Sequence, residues 1–153
     1  MTALAAITEK EIRAFMGTYH DALSAFDPAV VADFWRFPCE LATPQGKRHM
    51  FTAQELTTEM AAVTRLFASS RIAHIDRFVE FVHLTGADEA LVITRVEATL
   101  NNGTEGPRWT MSYIMRRQNE RWKIARLSTK GFALTWGDDA CVAAQAATPS
   151  SLN

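Results

Sequence analysis

The chain has 153 residues, 48% of them hydrophobic and 22% charged, values of one ordinary globular domain that builds its core without a metal or disulfide staple. Sixteen basic side chains against seventeen acidic ones leave a formal charge of −1, a balance that argues against nucleic acid or an anionic lipid surface as partner. No apolar run approaches the roughly eighteen residues of a membrane span, Met1 to Phe15 lacks a secretory apolar core, and Cys39 and Cys141 stand far apart without CxxC spacing, the pattern of reduced thiols in a cytoplasmic protein.

Thr8-Glu9-Lys10-Glu11 reads as a capping box at a helix start. Behind it Ile12, Phe15, Met16, Tyr19, Leu23 and Phe26 recur at helical spacing, so a long amphipathic helix is expected to end near Phe26. Asp27-Pro28 supplies an N-cap and a proline at the first helical position, predicting a short second helix from Ala29 to about Trp35. Pro38 stops it. Cys39 to Thr43 and Arg48 to Phe51 read as two short strands around Pro44-Gln45-Gly46-Lys47. Thr52-Ala53-Gln54-Glu55 is a second capping box, opening a helix with Leu56, Met60, Val63 and Phe67 on one stripe and closing at Ser69-Ser70. Four long segments rich in β-branched and aromatic residues follow: Arg71 to Leu84, Ala90 to Leu100, Arg108 to Gln118 and Arg121 to Thr129. Turn-forming residues separate them, which implies an antiparallel meander. Helices first and strands last give an α+β class, N-terminal helices packed on a curved, mainly antiparallel sheet. Residues 1–136 make a single domain, and 137–153 form a small, polar tail expected to be mobile or weakly docked.

Alternation assigns faces. Val92, Thr94, Val96, Ala98 and Leu100 share one side, and Leu91, Ile93, Arg95, Glu97 and Thr99 the other. The second set, apolar residues with an Arg95–Glu97 pair, suits contact with a second subunit and predicts a homodimer. Trp109, Met111, Tyr113 and Met115 share a side, as do Trp122, Ile124, Arg126 and Ser128. Arg126 after Trp and Ile on an inward face is the polar minority of a binding pocket, or else it snorkels to the rim or pairs with a carboxylate.

The segment TYHDALSAFDPAVVADFW from Thr18 to Trp35, the helix after FTAQEL, and the hairpin IMRRQNERWKIARLS from Ile114 to Ser128 together resemble the nuclear transport factor 2-like superfamily. This is the cystatin-like cone fold of ketosteroid isomerases, polyketide cyclases, scytalone dehydratases and limonene epoxide hydrolases. The resemblance runs from Thr8 to about Gly131. It implies a deep pocket between the sheet's concave face and the helices, and a homodimer through the outer face. The fold does not choose the chemistry. Tyr19 matches the helix tyrosine of the ketosteroid isomerase motif, but the place of that enzyme's catalytic base falls on Thr43. A threonine cannot take a proton from carbon at neutral pH. The place of the oxyanion-holding acid falls near Tyr113. Two donors without a base make a pocket rather than that isomerase.

His74 and Asp76, two apart in a strand with Glu80 beyond them, form a candidate proton-transfer pair, against the plainer alternatives of a solvated face or a dimer salt bridge. Their spacing is poor for zinc. Cys39 reads as a buried, inert thiol. Motifs of hydrolase triads, zinc peptidases, nucleotide hydrolysis and dinucleotide binding are absent from the sequence. The leading expectation is a small-molecule-binding protein with an apolar pocket, Tyr19, Tyr113 and Arg126 as polar fixing points and Trp35 and Trp109 in the walls. The ligand expected is apolar or carboxylate-bearing, with no metal and no cofactor. The alternatives are an isomerase, dehydratase or cyclase using His74 and Asp76, and a protein-interaction module whose pocket is filled.

Overall fold

A computed structural model describes residues 3–25, 27–43 and 46–130; the 137–153 tail and Cys141 lie outside them. Helix α1 spans Ala3–Ser24, beginning well before the start that a capping box at Thr8 suggested. Ala3-Leu4-Ala5-Ala6 carries good helix formers. Thr8, inside the helix, donates its hydroxyl to Leu4 O at 2.9 Å instead of capping an end. Ile12, Met16, Tyr19 and Ala22 are buried along one face, the helical spacing of a core-facing stripe.

Helix α2 is Pro28–Ala32, with the Asp27 side chain accepting from Val30 N at 3.4 Å and the proline in its first turn. It ends sooner than expected, and Trp35 opens strand β1, Trp35–Thr43. Pro38 sits inside this strand rather than before it. Its missing N–H is tolerated because the pairing of β1 to its neighbour is irregular between Trp35 and Glu40. Strand β2, Gly46–Met50, folds back on β1. Helix α3, Ala53–Ser69, starts as the sequence implied: Thr52 Oγ1 accepts from Glu55 N at 3.2 Å, and Glu55 Oε1 accepts from Phe51 N at 2.9 Å.

Strands β3 (Ile72–Gly86), β4 (Glu89–Leu100), β5 (Glu105–Gln118) and β6 (Arg121–Lys130) form the meander. The sheet order is β2-β1-β6-β5-β4-β3, with β1 parallel to β6 and every other pairing antiparallel. Ala90, Val92, Thr94, Val96 and Ala98 are buried beneath the helices, as are Trp109, Met111, Tyr113 and Met115. The α+β architecture is therefore as expected.

One strand departs from simple alternation. Ile114 pairs with Arg126 while the next residue, Met115, pairs with Ile124, so Ala125 is an extra residue in β6. A bulge of this kind reverses every side chain beyond it. Trp122 and Ile124 face the core before it, and Leu127 and Thr129 after it, all four buried. Arg126 and Ser128 consequently turn to the outer face, which corrects the inward assignment of Arg126.

Candidate functional site

Three elements aim polar atoms into the space between sheet and helices. Helix α1 supplies Tyr19, β5 supplies Tyr113, and β3 supplies Arg77, one of the inward residues Ile75, Arg77 and Val79, paired with Ala98, Val96 and Thr94. The two phenol rings meet edge to face with centroids 6.0 Å apart. Tyr19 Oη accepts a hydrogen bond from Trp35 Nε1 at 3.1 Å, so its own O–H remains to donate. Tyr113 Oη donates to Met111 Sδ at 3.3 Å, a weak acceptor. Arg77 is partly buried and has no hydrogen bond or ion pair with any described residue.

Burial, then the neighbouring Tyr113, push the Tyr19 hydroxyl well above its ordinary range. Burial likewise pushes Tyr113 up to about 12, partly offset by Arg77. Both phenols are therefore protonated donors at neutral pH. Burial pulls the Arg77 guanidinium below its usual value, and Tyr113, Tyr19 and Asp76 oppose that shift. His20, beside Tyr19 on α1, has its Nε2 buried without a partner among the described residues, and burial followed by Arg77 lowers it to about 4. The ring is neutral at pH 7.

Tyr19, Tyr113 and Arg77 border a hollow of about 40 Å³, measured as room for the centres of water molecules. Tyr19 and Leu23 of α1, Met60, Val63, Thr64 and Phe67 of α3, and Arg77, Met111 and Tyr113 of the sheet line it, with Asp27 and Pro28 of the α1–α2 connection. Space of this size holds a few water molecules. A second hollow of about 110 Å³ shares Leu23, Phe67 and Arg77 as walls, so Arg77 borders both.

The sequence-derived site residues divide accordingly. Tyr19 and Tyr113 come together. Trp35 stands behind Tyr19 and Trp109 behind Phe67, ring centroids 6.2 Å apart, so both support the lining without forming it. Arg126 does not join them: on the outer face its Nε lies 2.8 Å from Glu40 Oε2, with His49 Nε2 3.3 Å from the other oxygen of the same carboxylate. His74 and Asp76 do pair, at 2.9 Å, but on the outer side of β3 with 65% and 49% of their side chains exposed. Asp76 there lies opposite Glu97, and the Ile75 and Arg77 flanking it point inward. The pair does not reach the hollow between Tyr19 and Tyr113, although His74 borders the second hollow beside Arg77. Cys39 is buried, and burial, then Glu55, raise its thiol to about 11, an inert state. Among the described residues, no group of three His, Cys, Asp or Glu is arranged to hold a metal ion.

Arg77 was missed by the sequence reading. The available signal was Ile75-Arg77-Val79, an arginine on the apolar side of an alternating strand.

Helices closing over a twisted sheet, with a few polar side chains converging beneath them, define the class of α+β cone proteins. The chain belongs to the family described as NTF2-like protein (DUF6841), whose model matches residues 9–131. A domain of unknown function with a cystatin-like fold from Nostoc punctiforme superposes with a TM-score of 0.66 at 21% identity, over 88% of this chain and 81% of that one. A ketosteroid isomerase-like protein from Erwinia carotovora gives 0.62 at 20% identity, over 80% and 95%. An NTF-2 like protein of unknown function from Shewanella oneidensis gives 0.61 at 13%, over 80% and 98%. Likenesses this remote establish the fold alone. None of the curated proteins matches the chain. No helix among the described residues is long and apolar enough to cross a membrane.

Proposed function

We propose that the chain binds a small organic anion, a carboxylate or enolate with an apolar body, in the hollow beneath the sheet. One observation carries the reading: the partly buried Arg77 makes no hydrogen bond or ion pair with any described residue, and it faces two phenols that remain protonated. A partly buried cation whose nearby carboxylate, Asp76, turns to the outer face and makes no ion pair with it is incompletely compensated, and an anionic oxygen satisfies it. Arg77 would take the charge, and Tyr19, whose O–H is free, would donate to the same group. Met60, Val63 and Phe67 offer the apolar wall.

Binding is favoured over proton transfer because, among the described residues, the lining of the first hollow contains no histidine and its one carboxylate, Asp27, caps α2. The comparison with a ketosteroid isomerase-like protein keeps an isomerase-type reaction as the alternative, with His74 at the second hollow rather than the first as its candidate base. A homodimer through the outer face of β3–β5 and a cytoplasmic location belong to the same proposal.

The test is thermal denaturation with a panel of small aromatic and alicyclic carboxylates, on the native chain and Arg77→Met. A ligand at one hundred times its Kd adds about 2.7 kcal/mol, a rise of several degrees for a domain of this size. The expected result is a rise in the native chain that Arg77→Met abolishes. No rise with any carboxylate, or an equal rise in the variant, would overturn the proposal.

A further inference from the structure

The inward face of the sheet holds polar atoms that neither the fold nor the Arg77–tyrosine cluster uses. Thr94 on β4 is fully buried, and its hydroxyl has no hydrogen-bond partner among the described residues. Thr129 on β6 is buried with its hydroxyl in the same condition. Such a hydroxyl destabilises a core relative to a methyl group of the same shape, so its presence points to a use outside folding.

Register gives that use a location. Thr94 pairs with Met111 and Met111 with Thr129, so the three form one row across β4, β5 and β6 with the methionine in the middle. Directly paired side chains on one face stand about 5 Å apart, which lays Met111 between the two hydroxyls. Thr94 also lies between the anchors already described. Arg77 pairs with Val96 and Tyr113 with Val92, and Thr94 is the inward residue between those two valines. Strands are about 4.8 Å apart and rise about 3.3 Å per residue, which puts the Thr94 backbone roughly 8 Å from that of Arg77, close to the span of a substituted six-membered ring. Met111 lines the hollow, and its side chain's only hydrogen bond among the described residues is the weak one from Tyr113. Methionine is unbranched and repacks readily.

We propose that Met111 is a displaceable plug over a recessed polar subsite, floored by Thr94 and flanked by Thr129, that accepts a hydroxyl or carbonyl group on the ring of a carboxylate held by Arg77. Swinging Met111 aside frees the Tyr113 hydroxyl for the ligand and widens a hollow otherwise sized for water. The inference rests on the carboxylate reading above and sharpens it: ring carboxylates with a second oxygen are selected over the unsubstituted parent, because a site that hydrogen-bonds an oxygen rejects the analogue lacking it.

The experiment measures calorimetric affinities of benzoate, 3-hydroxybenzoate and 4-hydroxybenzoate for the full chain, Thr94→Val and Thr94→Ser, with the Tm of each protein. The expected result is that one hydroxybenzoate binds the native chain about tenfold more tightly than benzoate, equivalent to about 1.4 kcal/mol. Thr94→Val should bring that ratio to within about twofold and Thr94→Ser should keep it, since the serine retains the hydroxyl. Thr94→Val should also melt no lower than the native chain. Benzoate binding with no preference for a hydroxyl, a preference that survives in Thr94→Val, or a lowered Tm in that variant would each overturn the subsite while leaving the carboxylate reading intact. Failure of all three compounds to bind the native chain would overturn both.

Discussion

Tyr19 connects core and site through one oxygen. Because it accepts from Trp35 Nε1, Tyr19→Phe strands a buried indole donor and should cost about 1–3 kcal/mol in urea denaturation. Trp35→Phe combined with it should cost less than the two single changes added together, since they break the same bond. His20 makes a separate prediction. Its folded value of about 4 lies below the ordinary histidine value of 6.5, lowered by burial and by Arg77, so between these values the unfolded chain binds the extra proton. Stability contributed by the neutral ring is complete above pH 6.5 and is lost as the pH falls toward 4, by up to about 3 kcal/mol. His20→Gln should flatten the pH dependence of Tm across that window. An unaltered slope would show that the imidazole protonates equally in both states.

Among the elements, two similar motifs behaved differently. Thr52 and Glu55 cap α3, and Thr52→Ala should cost about 1 kcal/mol in chemical denaturation by removing the bond to Glu55 N. Thr8-Glu9-Lys10-Glu11 has the same spacing, but the alanines before it extend α1 and leave Thr8 in the helix interior. Thr8→Ala therefore removes no cap, and its cost is confined to lost packing. The strands and their order were legible because turn residues and β-branched runs are local signals. The inward positions of Tyr113 and Thr94 were legible because β4 and β5 alternate regularly along those stretches. Arg126 was not, because nothing in Ile124-Ala125-Arg126-Leu127 announces an extra residue; the bulge arises from pairing with β5. Arg77 was overlooked because the ionisable residues on the opposite side of β3, His74 and Asp76, drew the chemical reading outward.

For the whole molecule, the outer face of β3–β5 decides how rigid the site is. Phe78 and Phe81 are 41% and 46% exposed there. Ile93 pairs with Phe81 on one side and Ser112 on the other. Arg95 lies 4.5 Å over the Phe78 ring and bonds both Glu80 and Glu97. Two exposed phenylalanines near a half-buried isoleucine, with charges interspersed, resemble the mixture of an interface more than that of a solvated sheet. The native chain is expected to be a dimer by light scattering, and Ile93→Lys a monomer, because it would place a lysine from each copy in the apolar centre. A monomeric native chain, or an unchanged mass in the variant, would remove this face from consideration. The consequence reaches the interior because β3 is an edge strand, paired among the described residues only with β4, and it carries Arg77. Covering its outer side in a dimer would restrict the motion of an edge otherwise held on one side. Ile93→Lys, although on the opposite face from the hollow, should therefore weaken carboxylate binding, and the loss should follow the fraction of monomer as protein concentration is varied.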